Sequence, residues 1–447
     1  MYDLIVIGGG PGGYEAAAHA AKMGRKVALI EKGALGGTCL NVGCIPTKTF
    51  LRSSRLYAEC RHGSAFGVEM ESLRFNLAKV VERKNKVVGT LVRGVEGLMK
   101  RSGVEVIRTH ATLEGKTKVR AGETTLEARN ILLATGSRPV VPPIPGIDSA
   151  AVIDSTGALE LTELPAKLAI IGGGYIGLEF ASFFAAIGTD VIVFEMLPQI
   201  ATGADSDVVK RLEQSLKKSG VKFQTSCKVT GIDGGAVHFE DASGTKGNWT
   251  ADRVLNATGR APVLDCLGLE QSGVDFTRKG IITSDRGKTN IPGLWACGDV
   301  TGRRLLAHAA TREGLAAVNN MFGRDDRIRY DAIPAVIYSH PEVASVGKTE
   351  EELKSLDVDY KKSLVPMAVA GRFLVENEGV NGILKVLTGA RYGEILGVHA
   401  LGDLSSEFIV AAAQMMEMEM CAADIETVVF PHPTVSEALK QAILEVA

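Results

Sequence analysis

Aromatic residues make up only 5% of the 447 positions, and neither sign of charge is in excess: 50 basic residues face 52 acidic ones, a formal net charge of -2. Without a basic excess there is no electrostatic footprint for nucleic acid, and no block of like charge forms an interaction tail. A charged leader with an apolar signal core has no room either, because Tyr2-Asp3-Leu4-Ile5-Val6-Ile7 enters a strand directly after Met1. A cytoplasmic location is expected. The seven cysteines (Cys39, Cys44, Cys60, Cys227, Cys266, Cys297, Cys421) are odd in number and scattered, a cytosolic pattern rather than a disulfide framework. One run, Leu168 to Gly188, is apolar for 21 residues and long enough to span a bilayer. Its glycines Gly172, Gly173, Gly174 and Gly177, with Glu179 in its middle, read better as a strand, a phosphate turn and a buried helix. Glycine is what the chain has in quantity, 51 residues, as suits tight turns and backbone-to-ligand contacts. The length allows about three domains.

The stretch around which the rest is organised is Gly36-Gly37-Thr38-Cys39-Leu40-Asn41-Val42-Gly43-Cys44-Ile45-Pro46-Thr47-Lys48. On an ideal helix two cysteines five apart have Cα atoms roughly 8.7 Å apart, beyond the ~4.4 to 6.8 Å of a disulfide. A bridge therefore needs a bent helix. Gly43 allows the bend, and Pro46 disfavours helical geometry at Ile45. A disulfide in such a turn would be readily reducible, which suits catalysis. Spacing alone leaves open a pair of unbridged cysteines in a loop, and a metal site lacks a second ligand pair.

Before this stretch, Tyr2–Ile7 reads as a buried strand, Gly8-Gly9-Gly10-Pro11-Gly12-Gly13 as G-x-G-x-x-G, Tyr14 to about Met23 as a helix, and Lys26–Ile30 as a strand ending at Glu31. That order is the dinucleotide fingerprint: glycines let the backbone approach a pyrophosphate, and the carboxylate accepts from a ribose. A second copy runs from Lys167–Ile171 through Gly172-Gly173-Gly174-Tyr175-Ile176-Gly177 and a helix through Ala186 to Asp190–Phe194 and Glu195. Gly8 to Gly172 and Glu31 to Glu195 are both 164 residues. Two dinucleotide sites are expected. A further repeat, Ala134-Thr135-Gly136-Ser137 and Ala257-Thr258-Gly259-Arg260, follows an apolar strand in each half. Pro139, Pro142, Pro143 and Pro145 mark a stiff linker, placing the first boundary near Gly146. Later, a strand delivers Asp299 at its carboxyl end, where open parallel sheets bind ligands, although Gly298-Asp299 also reads as an ordinary turn. From Pro334, Ala335–Tyr338, Gly382–Leu387 and Glu394–His399 look like antiparallel strands, with helices at Glu350–Lys354 and Glu407–Met418. No phosphate loop occurs there, so a subunit interface is expected.

Taken together, the cysteine stretch, the two fingerprints, Cys297-Gly298-Asp299 and His432-Pro433-Thr434 resemble the pyridine nucleotide-disulfide oxidoreductases over essentially the whole chain. Leu306-Ala307-His308, Ser339-His340-Pro341-Glu342-Val343-Ala344 and Glu195 are most similar to the branch that oxidises dihydrolipoamide. The resemblance implies an α/β fold with two Rossmann-like domains, FAD-binding at 1–146 and NAD-binding at 147–264. A segment at 265–333 would return to the FAD domain, and 334–447 would form an α+β interface domain. It implies FAD contacts from Gly8, Gly10, Gly13, Glu31, Lys48, Ala111, Thr135, Gly136, Ser137, Asp299 and Ala307. NAD contacts would come from Gly172, Gly174, Tyr175, Gly177, Glu195 and Gly259.

By the same resemblance Cys39 exchanges with the substrate, Cys44 faces the flavin, and Lys48 stabilises the reduced ring, paired with Glu179. His432 would be the general base, oriented by Glu437, reaching the cysteines of the other subunit of a homodimer; without the flanking motif the two read as a surface pair. Tyr175 either covers the nicotinamide pocket or simply packs. Glu195 binds a ribose diol and repels a 2'-phosphate, and no Lys or Arg follows until Lys210, so NAD is favoured over NADP. The implied partner is the lipoyl domain of a 2-oxo acid dehydrogenase or glycine cleavage complex. Another NAD(P)H-dependent disulfide reductase and a silent flavin-bearing scaffold are the alternatives. Departures from the family pattern are Phe430 in place of a second His, Thr109-His110-Ala111 in place of Gly-x-Gly, and Val263 in place of Asn.

Overall fold

Alternate side chains of the strand Tyr2–Ile7 serve two cores, Leu4 and Val6 on one face and Ile5 and Ile7 on the other. Both faces are covered from Leu4 to Ile7, and that part of the strand is apolar without interruption, as central strands of parallel sheets are. In the computed structural model, which describes residues 1–265, 267–377 and 382–447, this strand is the middle of a mixed sheet. Cys266 lies outside the described residues. Glu105–Ile107, Val27–Ile30, Tyr2–Ile7 and Thr124–Leu133 lie side by side in parallel. Lys118–Ala121 and Ala111–Leu113 continue the sheet antiparallel, and Leu294–Ala296 returns from far along the chain to pair in parallel with Thr124–Leu133.

The chain divides into two compact units, Met1–Thr49 with Lys79–Val140 and Gly259–Ile328, and Phe50–Ala78 with Val141–Thr258 and Arg329–Ala447. Compactness thus follows a different plan from order along the chain. Segment 50–78 joins the second unit because Phe50 and Phe75 pack on Phe183, with ring centroids 5.0 Å and 6.1 Å away.

The second unit holds its own parallel sheet, ordered Lys222–Gln224, Asp190–Phe194, Lys167–Ile171, Arg253–Asn256 and Val152–Ile153. It also holds a five-stranded antiparallel sheet, ordered Ala335–Ile337, Val343–Gly347, Ile395–Leu401, Ile383–Gly389 and Tyr360–Pro366. Val343–Gly347 and Tyr360–Pro366 were not anticipated from sequence, nor was the 25-residue helix Leu77–Arg101. Charged residues interrupt the apolar pattern of that helix and of Tyr360–Pro366, and packing decides both.

Lys385, on the antiparallel strand Ile383–Gly389, is fully buried. Its ammonium lies 3.0 and 2.9 Å from the carboxylate oxygens of Asp205, 2.8 Å from Asp207 and 2.6 Å from Glu350. Asp205 caps the helix Ser206–Lys218, and Glu350 begins the helix Glu350–Ser355, so one cation fixes the starts of two helices. Burial would push Glu350 up, but hydrogen bonds from Lys385, Lys354 and Lys362 outweigh it and hold the carboxyl well below its usual range. Removing one partner of a buried ionic cluster leaves the others uncompensated. Lys385→Ala should therefore cost about 3–5 kcal/mol in urea unfolding; a loss below about 1 kcal/mol would show that the ionic cluster does not hold these helix starts.

Candidate active site

Gly43 breaks the cysteine stretch into two helices, Gly37–Val42 and Cys44–Arg61, and its φ of -136° and ψ of -108° supply the expected bend. The expectation about Pro46 fails: Ile45 is helical. Pro46 sits in the first turn of the second helix, where its missing N–H has no intrahelical acceptor to lose. Cys39 and Cys44 are half-buried thiols that hydrogen-bond to each other. That bond and burial push the Cys39 thiol up, while the charge of Lys48 opposes the rise. Lys48 stands four residues beyond Cys44 on the same helix.

The cysteine turn is docked on the first glycine turn. Gly36 N–H donates to Gly9 carbonyl at 2.8 Å, and a Cβ on Gly37 would meet Gly10 Cα at 2.6 Å. No side chain on Gly37 fits against the first turn.

The two fingerprints repeat in atomic detail. Gly8 and Gly172 share a φ of +108°, and a Cβ on them would meet the carbonyl oxygens of Ala134 and Ala257 at 2.2 and 2.4 Å. A Cβ on Gly13 and Gly177 would strike the carbonyl oxygens of Gly8 and Gly172. Gly9 and Gly173 N–H donate at 2.7 Å to Glu31 and Glu195, whose other oxygens accept from Gly33 and Leu197. The Ala-Thr-Gly repeat thus walls each turn. At Gly174 a Cβ would meet nothing within 4 Å, and at Gly10 only the Gly37 Cα at 3.9 Å. Packing of the chain does not require glycine at these two; an approaching phosphate does, and each turn opens a helix, Pro11–Lys22 and Tyr175–Ala186. Both turns fit a dinucleotide.

Asp299 follows the strand Leu294–Ala296 in a short turn whose Gly298 N–H donates to the buried Glu313 carboxylate at 2.5 Å. Its carboxylate accepts from the Ser137 hydroxyl. Burial pushes Asp299 up, and the Ser137 hydrogen bond and Arg260 charge work against that rise. Thr135 Oγ1 donates to Val263 carbonyl at 3.0 Å, Gly136 carbonyl accepts from Val263 N–H, Ala111 opens a buried strand, and Ala307 opens the helix Ala307–Met321. Gly259 belongs to this unit. Arg260, Thr38 and Glu313 escaped the sequence reading; the one available signal was that Arg260 and Ser137 occupy equivalent places in the Ala-Thr-Gly repeat.

In the second unit, His432 Nδ1 lies 2.9 Å from Glu437 Oε1, and Thr434 N–H donates to Glu437 Oε2 at 2.9 Å. The Thr434 hydrogen bond first, and His432 second, hold the Glu437 carboxyl below its usual range. His432 is 78% exposed. Phe430 lies in an apolar groove with Leu404, Phe408, Val410, Val428 and Val429. Glu179 is buried on the helix Tyr175–Ala186 and accepts from Tyr338 N–H at 3.0 Å; Tyr175 is half-buried at the helix start.

Residues 2–314 match the family described as pyridine nucleotide-disulphide oxidoreductase, and residues 333–443 match its dimerisation domain. The chain is 41% identical to dihydrolipoyl dehydrogenase 3 of Pseudomonas putida, covering 100% of this chain and 98% of that one. It is 39% identical to dihydrolipoyl dehydrogenase of Bacillus subtilis, covering 99% and 98%. Among solved structures, the HOCl-induced flavoprotein disulfide reductase RclA from Escherichia coli superposes with a TM-score of 0.88 at 29% identity, covering 100% of both chains. With two nucleotide turns, a dithiol docked on the first and these likenesses over its full length, the chain belongs to the pyridine nucleotide-disulphide oxidoreductase family.

Proposed function

We propose that the chain oxidises protein-bound dihydrolipoamide and reduces NAD, as an FAD-dependent dihydrolipoyl dehydrogenase. The observation that carries this reading is the Cys39–Cys44 pair seated directly against the first nucleotide turn through Gly37 and Gly10. FAD and NAD, the cofactors of the family, supply the two-electron path away from the cysteines. Gly8, Gly10, Gly13, Glu31 and Asp299 bind the first, and Gly172, Gly174, Gly177 and Glu195 the second. Glu195 repels a 2'-phosphate, which selects NAD.

Chemistry begins when His432 accepts a proton from a substrate thiol and Glu437 stabilises the resulting imidazolium. The substrate thiolate attacks Cys39 of the oxidised pair; a mixed disulfide forms, and Cys44 leaves as a thiolate. His432 passes the first proton to solvent and takes that of the second substrate thiol; the resulting thiolate attacks the first substrate sulfur, closing the lipoyl disulfide, and Cys39 leaves and takes its proton from the imidazolium. Lys48 provides the cation beside the reduced site.

A homodimer is supported by the dimerisation-domain match and by the apolar groove, where Val410 is 63% and Val429 89% exposed. We assign the functional parts as 1–146 for FAD, 147–264 for NAD, 265–333 returning to the FAD part and 334–447 for the interface. The partner is a lipoyl domain of a 2-oxo acid dehydrogenase or glycine cleavage complex, in the cytoplasm. No helix among the described residues is long and apolar enough to cross a membrane.

The purified yellow protein should reduce NAD with free dihydrolipoamide and leave glutathione disulfide untouched in the presence of NADPH; the reverse pattern would overturn the assignment, and a silent scaffold would turn over neither. Cys39→Ser and Cys44→Ser should each abolish dihydrolipoamide turnover with flavin still bound. His432→Gln should lower kcat/KM for the dithiol about 10²- to 10⁴-fold while flavin reduction by NADH stays near normal in stopped flow. Glu437→Gln should fall between that variant and wild type. Because the folded pKa of Glu437 is depressed, its contribution to stability is present above the ordinary carboxylate range and is lost as pH falls through the lowered value. Thermal unfolding of wild type and Glu437→Gln should accordingly converge in acid and diverge near neutrality.

A further inference from the structure

We propose that Arg260 is a positioning residue for Asp299, holding that carboxylate in place through Ser137 so that it can accept hydrogen bonds from bound FAD. The inference rests on the reading of Asp299 as a flavin-binding residue.

Arg260 reaches its station by topology. The repeat Ala134-Thr135-Gly136-Ser137 and Ala257-Thr258-Gly259-Arg260 ends in two short strands, Ser137–Pro139 and Arg260–Pro262. These pair antiparallel, Arg260 opposite Pro139 and Pro262 opposite Ser137. Two copies of one motif therefore meet face to face. The equivalent residues have diverged into complementary partners, a hydroxyl and a guanidinium.

The guanidinium fork reaches both Ser137 and Thr38. Nε donates to Ser137 Oγ at 2.7 Å, and Nη2 donates to Ser137 carbonyl at 2.7 Å and to Thr38 Oγ1 at 3.3 Å. Ser137 Oγ accepts from Arg260 and so must turn its own proton outward, onto Asp299 Oδ2. The direction of the chain is fixed: Arg260 to Ser137 to Asp299. A carboxylate that donates nothing itself is the acceptor that sugar-alcohol hydroxyls require, and burial alone would favour its protonated form. The planar fork matters as well as the charge, because a lysine is a single point and cannot span Ser137 and Thr38 together.

The rate of FAD release from the holoenzyme, followed by the recovery of flavin fluorescence, tests this. Arg260→Met should release FAD at least tenfold faster, Ser137→Ala should do likewise, and the double variant should be no faster than Arg260→Met, because the two act in series. Arg260→Lys should recover only part of the loss. Asp299→Ala sets the ceiling. If Arg260→Met stays within twofold of wild type while Asp299→Ala loses tenfold, the proposal for Arg260 is overturned and the flavin role of Asp299 stands. If Asp299→Ala itself stays within twofold, the underlying reading of Asp299 is wrong. Should Arg260→Met fail to fold, Arg260→Lys and Ser137→Ala carry the test: additive effects on release would overturn a series arrangement, and non-additive ones support it.

Discussion

The approach of backbone to backbone at Gly10 and Gly37 is the constraint on which the redox centre depends. A methyl group at Gly37 would lie 2.6 Å from Gly10 Cα, so the cysteine helix seats on the nucleotide turn only because Gly37 has no side chain. That seating, which rests on the missing side chain of Gly37, decides where Cys39 and Cys44 lie relative to the first dinucleotide site. Gly43 then sets how the two thiols face each other, by interrupting the helix between them. Position is thus obtained from the removal of atoms, and the reactive groups are carried on rigid helices rather than on a loose loop.

Charge is handled in two ways in the two units. In the second, Lys385 gathers three carboxylates in a buried cluster that fixes helix ends, and the ions compensate one another. In the first, a serine stands between Asp299 and Arg260: its hydroxyl donates to the carboxylate and accepts from the guanidinium Nε. A direct ion pair would occupy the carboxylate. An interposed hydroxyl orients it and leaves acceptor capacity for a ligand.

The internal repeat explains more than a second nucleotide site. Each Ala-Thr-Gly segment supplies the carbonyl that closes against its glycine turn, through Ala134 on Gly8 and Ala257 on Gly172. One motif binds and the other walls. The same repeat brings Ser137 and Arg260 together at its far end, where symmetry of the backbone is used to join unlike side chains.

Local chemistry made much of this legible. The two fingerprints, Glu31 and Glu195 at the ends of their strands, the cysteine turn and the Glu437 partner of His432 are set by spacings of a few to some twenty residues, and such spacings survive in the linear order of the chain. Three things were not legible. Pro46 looked like an obstacle to helix and is accommodated in a first turn; segment 50–78 joins the second unit through Phe50 and Phe75 on Phe183; and Arg260 finds Ser137 across 123 residues. The sequence by itself determined the two glycine turns with their strand-end glutamates and the cysteine stretch bent at Gly43, because these depend on residue type and local turn geometry. Tertiary structure alone decided which distant groups hold them in place, because a hydrogen bond between residues far apart along the chain depends on strand pairing, which leaves no spacing to read.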